Sequence, residues 1–199
     1  MNEVYKLIEY IMLMHNKIND MWKKSNDYYP LNMKTCRVHD IYNDEKLLFY
    51  VFNYRNFINK HTINIIEDIQ TLKLNNSVDT RVKALNSIQD KISKYENKKE
   101  KGKIPIKKCL NDIYGLRIIL NDDITYENIK EYVENKYDKL KCILAYREKY
   151  KAVHVYFGTS DNKNFQWELQ IWNKKDKKNN LISHFKYKQA YTKWEKDNI

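Results

Sequence analysis

Asn111-Asp112-Ile113-Tyr114-Gly115-Leu116-Arg117-Ile118-Ile119-Leu120 is the stretch on which the fold turns. From Ile113 to Leu120 it is a short, largely apolar, β-branched run, which predicts a buried strand. Asp112 stands at its mouth, where a carboxylate is either an edge cap or a metal ligand. Arg117 lies inside the run and needs a partner if it is buried. Gly115 implies that something large approaches the backbone there.

Towards the C-terminus the texture alternates. Asp123 to Asn135 predicts a helix, Leu140 to Tyr146 a strand, Lys151 to Phe157 a strand closed by Gly158, and Phe165 to Trp172 another strand. A basic helix from Leu181 to Lys196 ends the chain, and the charged runs Lys98–Lys103 and Lys174–Asn180 read as loops. Towards the N-terminus the period is helical. Val4, Leu7, Ile8, Ile11, Ile18 and Trp22 share one face, in a segment closed around Pro30. Leu48, Val51, Tyr54, Phe57, Ile58, Ile65, Ile66 and Ile69 stripe a second helix from about Glu45 to Leu74. Strands separated by helices, then strands in succession, predict an α/β domain with a mixed sheet. A helical segment over 1–78 would pack on a core over 79–199, in one structural domain.

The chain has 199 residues, with 37 Lys and Arg against 26 Asp and Glu, a formal charge of +11. Only 3 Gly and 2 Pro exclude collagen-like and linker chains. With 42% hydrophobic and 14% aromatic residues it can bury a core. No run of about 20 apolar residues is present, so no membrane span or membrane partner is expected. Glu3 and Glu9 interrupt the first apolar run, which argues against a signal peptide. Cys36, Cys109 and Cys142 are far apart and form no zinc spacing with the histidines, so they read as reduced thiols in a cytoplasmic protein. The excess charge implies a polyanionic partner, nucleotide phosphates or RNA or DNA. A Lys- and Asn-rich composition filled in by codon bias explains it equally well.

Four clusters could carry chemistry. In Arg81-Val82-Lys83-Ala84-Leu85-Asn86-Ser87-Ile88-Gln89-Asp90-Lys91, Arg81 and Lys83 point the same way from an extended segment. Ser87 would N-cap a helix, and Lys91 would lie one turn on. Cations gathered at a helix N-terminus make a phosphate site; the plainer alternative is a solvated basic junction. Asp112 opens the second cluster. In Trp167-Glu168-Leu169-Gln170-Ile171-Trp172, alternation puts Glu168 and Gln170 on one face. If Asp112 and Glu168 lie on neighbouring strands they make a two-carboxylate Mg²⁺ site; otherwise Glu168 belongs to an amphipathic edge strand. In Tyr146-Arg147-Glu148-Lys149-Tyr150-Lys151-Ala152-Val153-His154, a Tyr among cations can stack on a base, and His154 shares its face.

Taken in order, Arg-x-Lys-x-x-x-Ser-x-x-x-Lys, Asp-Ile-x-Gly-x-Arg-Ile, Tyr-x-x-x-His and Glu-Leu-Gln-Ile resemble the synthetase domain of the RelA/SpoT family from about Arg81 to Trp172. The resemblance implies a nucleotidyltransferase-like mixed sheet of about five strands, flanked by helices, and an ATP-dependent pyrophosphokinase. It implies that Arg81 lies against adenine while Lys83, Ser87 and Lys91 hold the ATP phosphates. Asp112 and Glu168 would hold Mg²⁺, with Glu168 activating the attacking 3′-hydroxyl. Tyr150 would stack on the acceptor purine, His154 would lie near the phosphates and Gln170 near the acceptor. The length leaves no room for a hydrolase portion, so the chain is most similar to single-domain small alarmone synthetases.

One departure bears on the acceptor. Housekeeping relatives precede the stacking Tyr with a loop of the type Lys-Pro-Asn-Gly; here Tyr146-Arg147-Glu148-Lys149 stands there. That resembles the toxic small alarmone synthetases, some of which pyrophosphorylate the 3′-terminal adenosine of tRNA. The first expectation is therefore a toxin acting on the tRNA CCA end, neutralised by a cognate antitoxin protein. Lys23, Lys24, Arg147, Lys149, Lys151 and the Lys174-Lys175 run are its candidate tRNA contacts. The second is a (p)ppGpp or ppApp synthetase using free nucleotides. The third is an inactive RNA-binding module, which the presence of Arg81, Lys83, Ser87, Asp112 and Glu168 disfavours. No DNA partner is expected, and a homo-oligomer stays open.

Overall fold

The computed structural model describes residues 2–97, 100–121, 125–138 and 140–196. The order of elements is α1 (Asn2–Lys23), α2 (Val38–Asn43), α3 (Glu45–Thr71), β1 (Val78–Val82), α4 (Leu85–Glu96), α5 (Ile106–Cys109), β2 (Tyr114–Leu120), α6 (Tyr126–Lys136), β3 (Lys141–Arg147), β4 (Tyr150–Phe157), β5 (Trp167–Asn173), a 3-10 turn (Lys174–Asp176) and α7 (Lys177–Lys196). The five strands form one mixed sheet in the order β1-β2-β5-β4-β3, with only β2 and β5 parallel. This is the mixed five-stranded, helix-flanked α+β fold that the sequence predicts.

Alternation along the strands divides the sheet into two unlike faces. Leu116, Ile118, Val153, Val155, Trp167, Leu169 and Ile171 are buried in one hydrophobic core with the stripe of α1 (Val4, Leu7, Ile8, Ile11) and of α3 (Val51, Tyr54, Ile58). The core runs without interruption from the N-terminal helices to the last strand. Two polar side chains inside it are linked to Asn19: Trp167 Nε1 donates to the Tyr54 hydroxyl at 3.1 Å, and the Tyr54 hydroxyl donates to Asn19 Oδ1 at 3.2 Å. The opposite face carries Arg81, Gly115, Arg117, His154, Tyr156, Glu168 and Gln170, brought into register by the ladder (Arg81 opposite Gly115, Gly115 beside Glu168, His154 opposite Gln170, Tyr156 opposite Glu168).

Three expectations are corrected. Lys174–Asn180 is not a loop but the 3-10 turn and the first turn of α7. Within this basic run two polar residues are buried and anchored. Asp176 accepts from the Tyr126 hydroxyl at 2.8 Å, and Asn180 exchanges two hydrogen bonds with the Lys151 backbone at 2.9 and 2.8 Å. Ser87 does not cap α4: Lys83 N still donates to Ile113 O at 2.9 Å, so the chain turns helical only after it. Ala84 is the N-cap and Ser87 falls in the first turn. Glu168 is not on an edge, since β5 is the central strand and all seven of its residues are buried. Two other expectations fall partly outside the described residues: Asp123, the expected start of the helix observed from Tyr126, and Lys98-Lys99 of the first charged run. Among the described residues no helix is long and apolar enough to cross a membrane. All three cysteines are free and buried.

Candidate active site

The polar face has two poles. At the first, Asp112 sits two residues before β2 and collects three cations. Lys83 Nζ lies 2.6 Å from Oδ2, Arg81 Nη2 3.3 Å from Oδ2, and Lys91 Nζ 3.1 Å from Oδ1. Arg81 and Lys83 arrive two residues apart from the end of β1, and Lys91 one turn above Ser87 on α4, as the spacing predicts. Burial acts to protonate Asp112, but Lys91 and Lys83 outweigh it and hold the carboxyl well below the usual range. Burial lowers the Lys83 ammonium despite Asp112. For Lys91 burial acts in the same direction, but the carboxylate wins and the ammonium is raised. Ser87 is exposed at the start of α4, whose first backbone donors precede the first helical bond, Ile88 N to Ala84 O at 3.1 Å. Three cations, a hydroxyl and a free helix N-terminus in one place suit a polyphosphate.

Glu168 joins the two poles. Its Oε1 accepts from His154 Nδ1 at 2.9 Å and its Oε2 from Gln170 Nε2 at 2.8 Å. Burial raises its pKa, but His154 and the Gln170 hydrogen bond together outweigh this and leave it lowered. Because a carboxylate only accepts, Nδ1 of His154 carries a proton. Its Nε2 is hydrogen-bonded to the Tyr150 hydroxyl at 2.8 Å. At the second pole Tyr150 opens β4. Burial pushes its hydroxyl up to about 12. Its ring meets Trp172 edge-on at 6.2 Å and His184 of α7 at 5.6 Å. Arg117 finds the partners its position demands: its guanidinium lies 3.9 Å over the Trp172 ring and donates to Gln170 Oε1 at 3.3 and 3.2 Å.

Arg147, Lys149 and Lys151 are exposed around the β3–β4 turn, in which Glu148 adopts φ 51°. Lys174 and Lys175 are exposed just beyond β5. Lys23 ends α1 and Lys24 follows it, away from that turn; Lys23 pairs with Asp161 at 3.3 Å, in the connection at the far end of β4 from Tyr150. Reasoning from sequence missed His184, and no motif would have found it. It also passed over Trp172 as a platform, although the unpaired Arg117 signalled that something must receive a buried guanidinium.

Among the described residues no three His, Cys, Asp or Glu side chains gather into a metal site. The donor set nonetheless fits a hard cation completed by phosphate. Asp112 lies just before β2 and Glu168 on the adjacent β5, and the pKa of each is lowered. With about four lone-pair directions per carboxylate, neither Asp112 nor Glu168 is filled by its hydrogen-bond partners.

A sheet whose polar face presents a cation-ringed carboxylate, a central glutamate and an aromatic platform defines a phosphoryl-transfer enzyme of nucleotides. Residues 80–192 match the family model described as the region found in RelA / SpoT proteins, and the chain belongs to that family. It is a pyrophosphokinase of the RelA/SpoT type, a family whose donor is ATP. Its fold is similar to that of small alarmone synthetase 1 from Bacillus subtilis (21% identity, 74% of this chain, 82% of that chain, TM-score 0.44). It is also similar to a GTP pyrophosphokinase family protein from Streptococcus pneumoniae (19% identity, 76% of this chain, 83% of that chain, TM-score 0.41). The Bacillus protein bound to AMPCPP matches with 19% identity over 74% of this chain and 81% of that one, at a TM-score of 0.39. No curated protein matches the chain.

Proposed function

We propose that the protein transfers pyrophosphate from ATP to the 3′-hydroxyl of the CCA-end adenosine of tRNA, which blocks aminoacylation and hence translation. The observation that carries this reading is the rim of the acceptor pole. The turn leading into Tyr150 is built of exposed Arg147 and Lys149, with Lys151 beside it. The start of α7, with exposed Lys177 and Lys178, is clamped to Lys151 through Asn180. Such a rim suits a phosphodiester backbone trailing from the bound base, because Lys and Arg contacts to phosphates supply most nonspecific nucleic-acid affinity.

In the reaction, Arg81 lies against adenine, and Lys83, Lys91 and the α4 N-terminus with Ser87 receive the phosphates. The cations thereby transfer part of their bonding from Asp112 to the nucleotide. Tyr150 carries the terminal adenine, and Glu168, oriented by His154 and Gln170, accepts the proton of the 3′-hydroxyl. The 3′-oxygen forms a bond to the β-phosphorus, the bond from that phosphorus to the α–β bridging oxygen breaks, and AMP leaves. Lys83 and Lys91 offset the charge that develops there. Asp112 and Glu168 would hold Mg²⁺, which neutralises the polyphosphate when bound. Positioning and preformed charge supply the catalysis. An enzyme that arrests translation needs restraint, and a cognate antitoxin protein is part of the proposal.

Mass analysis of total tRNA and of free nucleotides after brief induction in cells tests the reading. It predicts tRNA whose 3′ adenosine carries an added diphosphate. A pyrophosphorylated guanosine or adenosine nucleotide with unmodified tRNA contradicts it.

A further inference from the structure

His184 packs its ring against this face but leaves a buried nitrogen unpaired. It lies one turn beyond Asn180 on α7, with its ring centroid 5.6 Å from Tyr150 (interplanar angle 72°) and 5.5 Å from Trp172 (33°). Its Nε2 is buried and has no hydrogen-bond partner among the described residues. Unpaired buried polar atoms are rare in native interiors, because the group loses water and gains nothing. Trp172 Nε1, in the ring beside it, is likewise buried without a partner, and the other polar neighbours are committed. His154 is held between Tyr150 and Glu168, and Gln170 between Arg117 and Glu168. Burial, then the charges of Arg117 and Arg81, push the His184 pKa down to about 4, so at neutral pH the ring is uncharged. A neutral imidazole nitrogen can donate or accept, according to its tautomer. The site therefore holds an aromatic platform with an unused, uncharged hydrogen-bonding atom beside it. Tyr150 alone binds any base, because every base has a π-face.

We propose that His184 is an acceptor-recognition residue whose Nε2 hydrogen-bonds the polar edge of the purine carried by Tyr150, so that α7 helps to select and position the acceptor base. The proposal rests on Tyr150 as the acceptor platform, and it holds whether that purine ends a tRNA or belongs to a free nucleotide. If His184 only pinned α7 to the sheet, a ring of similar size would serve as well.

The test first fixes the acceptor by tracing label from γ-radiolabelled ATP into tRNA or nucleotide. It then measures KM for acceptor and for ATP separately in three variants. His184→Phe keeps the ring packing and removes the nitrogen, His184→Gln places an amide near the position of Nε2, and His184→Asn stops short of it. The expected result is an acceptor KM about tenfold higher for Phe and for Asn, with ATP KM and kcat within about twofold of the parent, and recovery of most of the loss by Gln. Thermal unfolding reports whether each variant is folded; if Phe is not, the contrast between Gln and Asn decides. An unchanged acceptor KM in Phe, equal losses in Gln and Asn, or a parallel rise in ATP KM would overturn the proposal. Absence of label from every acceptor with the parent protein would instead sink the reading of Tyr150.

Discussion

Lys83 Nζ lies 2.6 Å from Oδ2 of Asp112, with both side chains largely buried. This carboxylate is what holds Lys83, Lys91 and Arg81 together. Removing one partner of a buried pair costs about 3–5 kcal/mol, because the other charge is left uncompensated. Asp112→Asn would leave Lys83, Lys91 and Arg81 facing one another. Its unfolding free energy in denaturant should fall by about 3 kcal/mol, and ATP should restore part of the loss. Activity should fall at least about a hundredfold. Parent-like stability would show that the carboxylate does not hold the cations.

Gly115 stands opposite Arg81 in the ladder, and a Cβ there would lie 3.3 Å from Arg81 Nε and 3.5 Å from its Cγ. The neighbour is a flexible, partly exposed side chain, so it can yield. Gly115→Ala should therefore cost less than about 1 kcal/mol of stability, while displacing the guanidinium from the adenine position. We expect a several-fold rise in ATP KM with the acceptor KM unchanged. A large stability loss, or no kinetic effect at all, would separate Arg81 from adenine binding.

Tyr150 offers two functions that substitution can separate: a ring face, and a hydroxyl hydrogen-bonded to His154 Nε2 at 2.8 Å. Tyr150→Leu should raise the acceptor KM by about tenfold to a hundredfold, since a base–aromatic stack is worth about 1–3 kcal/mol. Tyr150→Phe should keep that KM near the parent value and lower kcat, because His154 and with it Glu168 lose an anchor. Equal KM values for the Phe and Leu variants would contradict stacking.

His15 is buried in the core, donating from Nε2 to Phe165 O at 3.0 Å, and burial pushes its pKa down to about 4. The unfolded chain binds the proton near 6.5, so between about 6.5 and 4 it holds more protons than the native state. This contribution is fully present above pH 6.5 and is lost as the pH falls towards 4. The loss reaches about 2 kcal/mol at pH 5. His15→Asn should lower stability at pH 7 and flatten its dependence between pH 7 and 5. An unchanged slope in the variant would place the acid sensitivity elsewhere.

Much of this site is legible in the sequence because its residues follow short local periods. Arg81 and Lys83 are two apart on an extended segment and converge on Asp112; Glu168 and Gln170 are two apart on a strand and reach one face. The strands from Ile113, Leu140, Lys151 and Phe165 are read to within two residues at each end, because apolar runs between polar turns mark them. What was not legible depends on distant partners. The start of α4 is set by the backbone bond from Lys83 to Ile113, not by Ser87, which has the best capping chemistry. The Lys174–Asn180 run is helical because Asp176 and Asn180 are anchored by Tyr126 and Lys151, far away in sequence. His184 gains its place from α7 folding back over Tyr150, which no spacing announces.

The central claim is the acceptor, and transfer of label tests it most directly. Purified protein would be incubated with ATP radiolabelled in the γ-phosphate, together with deacylated tRNA, the same tRNA with its 3′ ribose oxidised, and a pool of GDP, GTP and adenosine nucleotides. Label should enter intact tRNA and not the oxidised tRNA, and Glu168→Gln should lose the transfer. Label confined to the free nucleotides would contradict it.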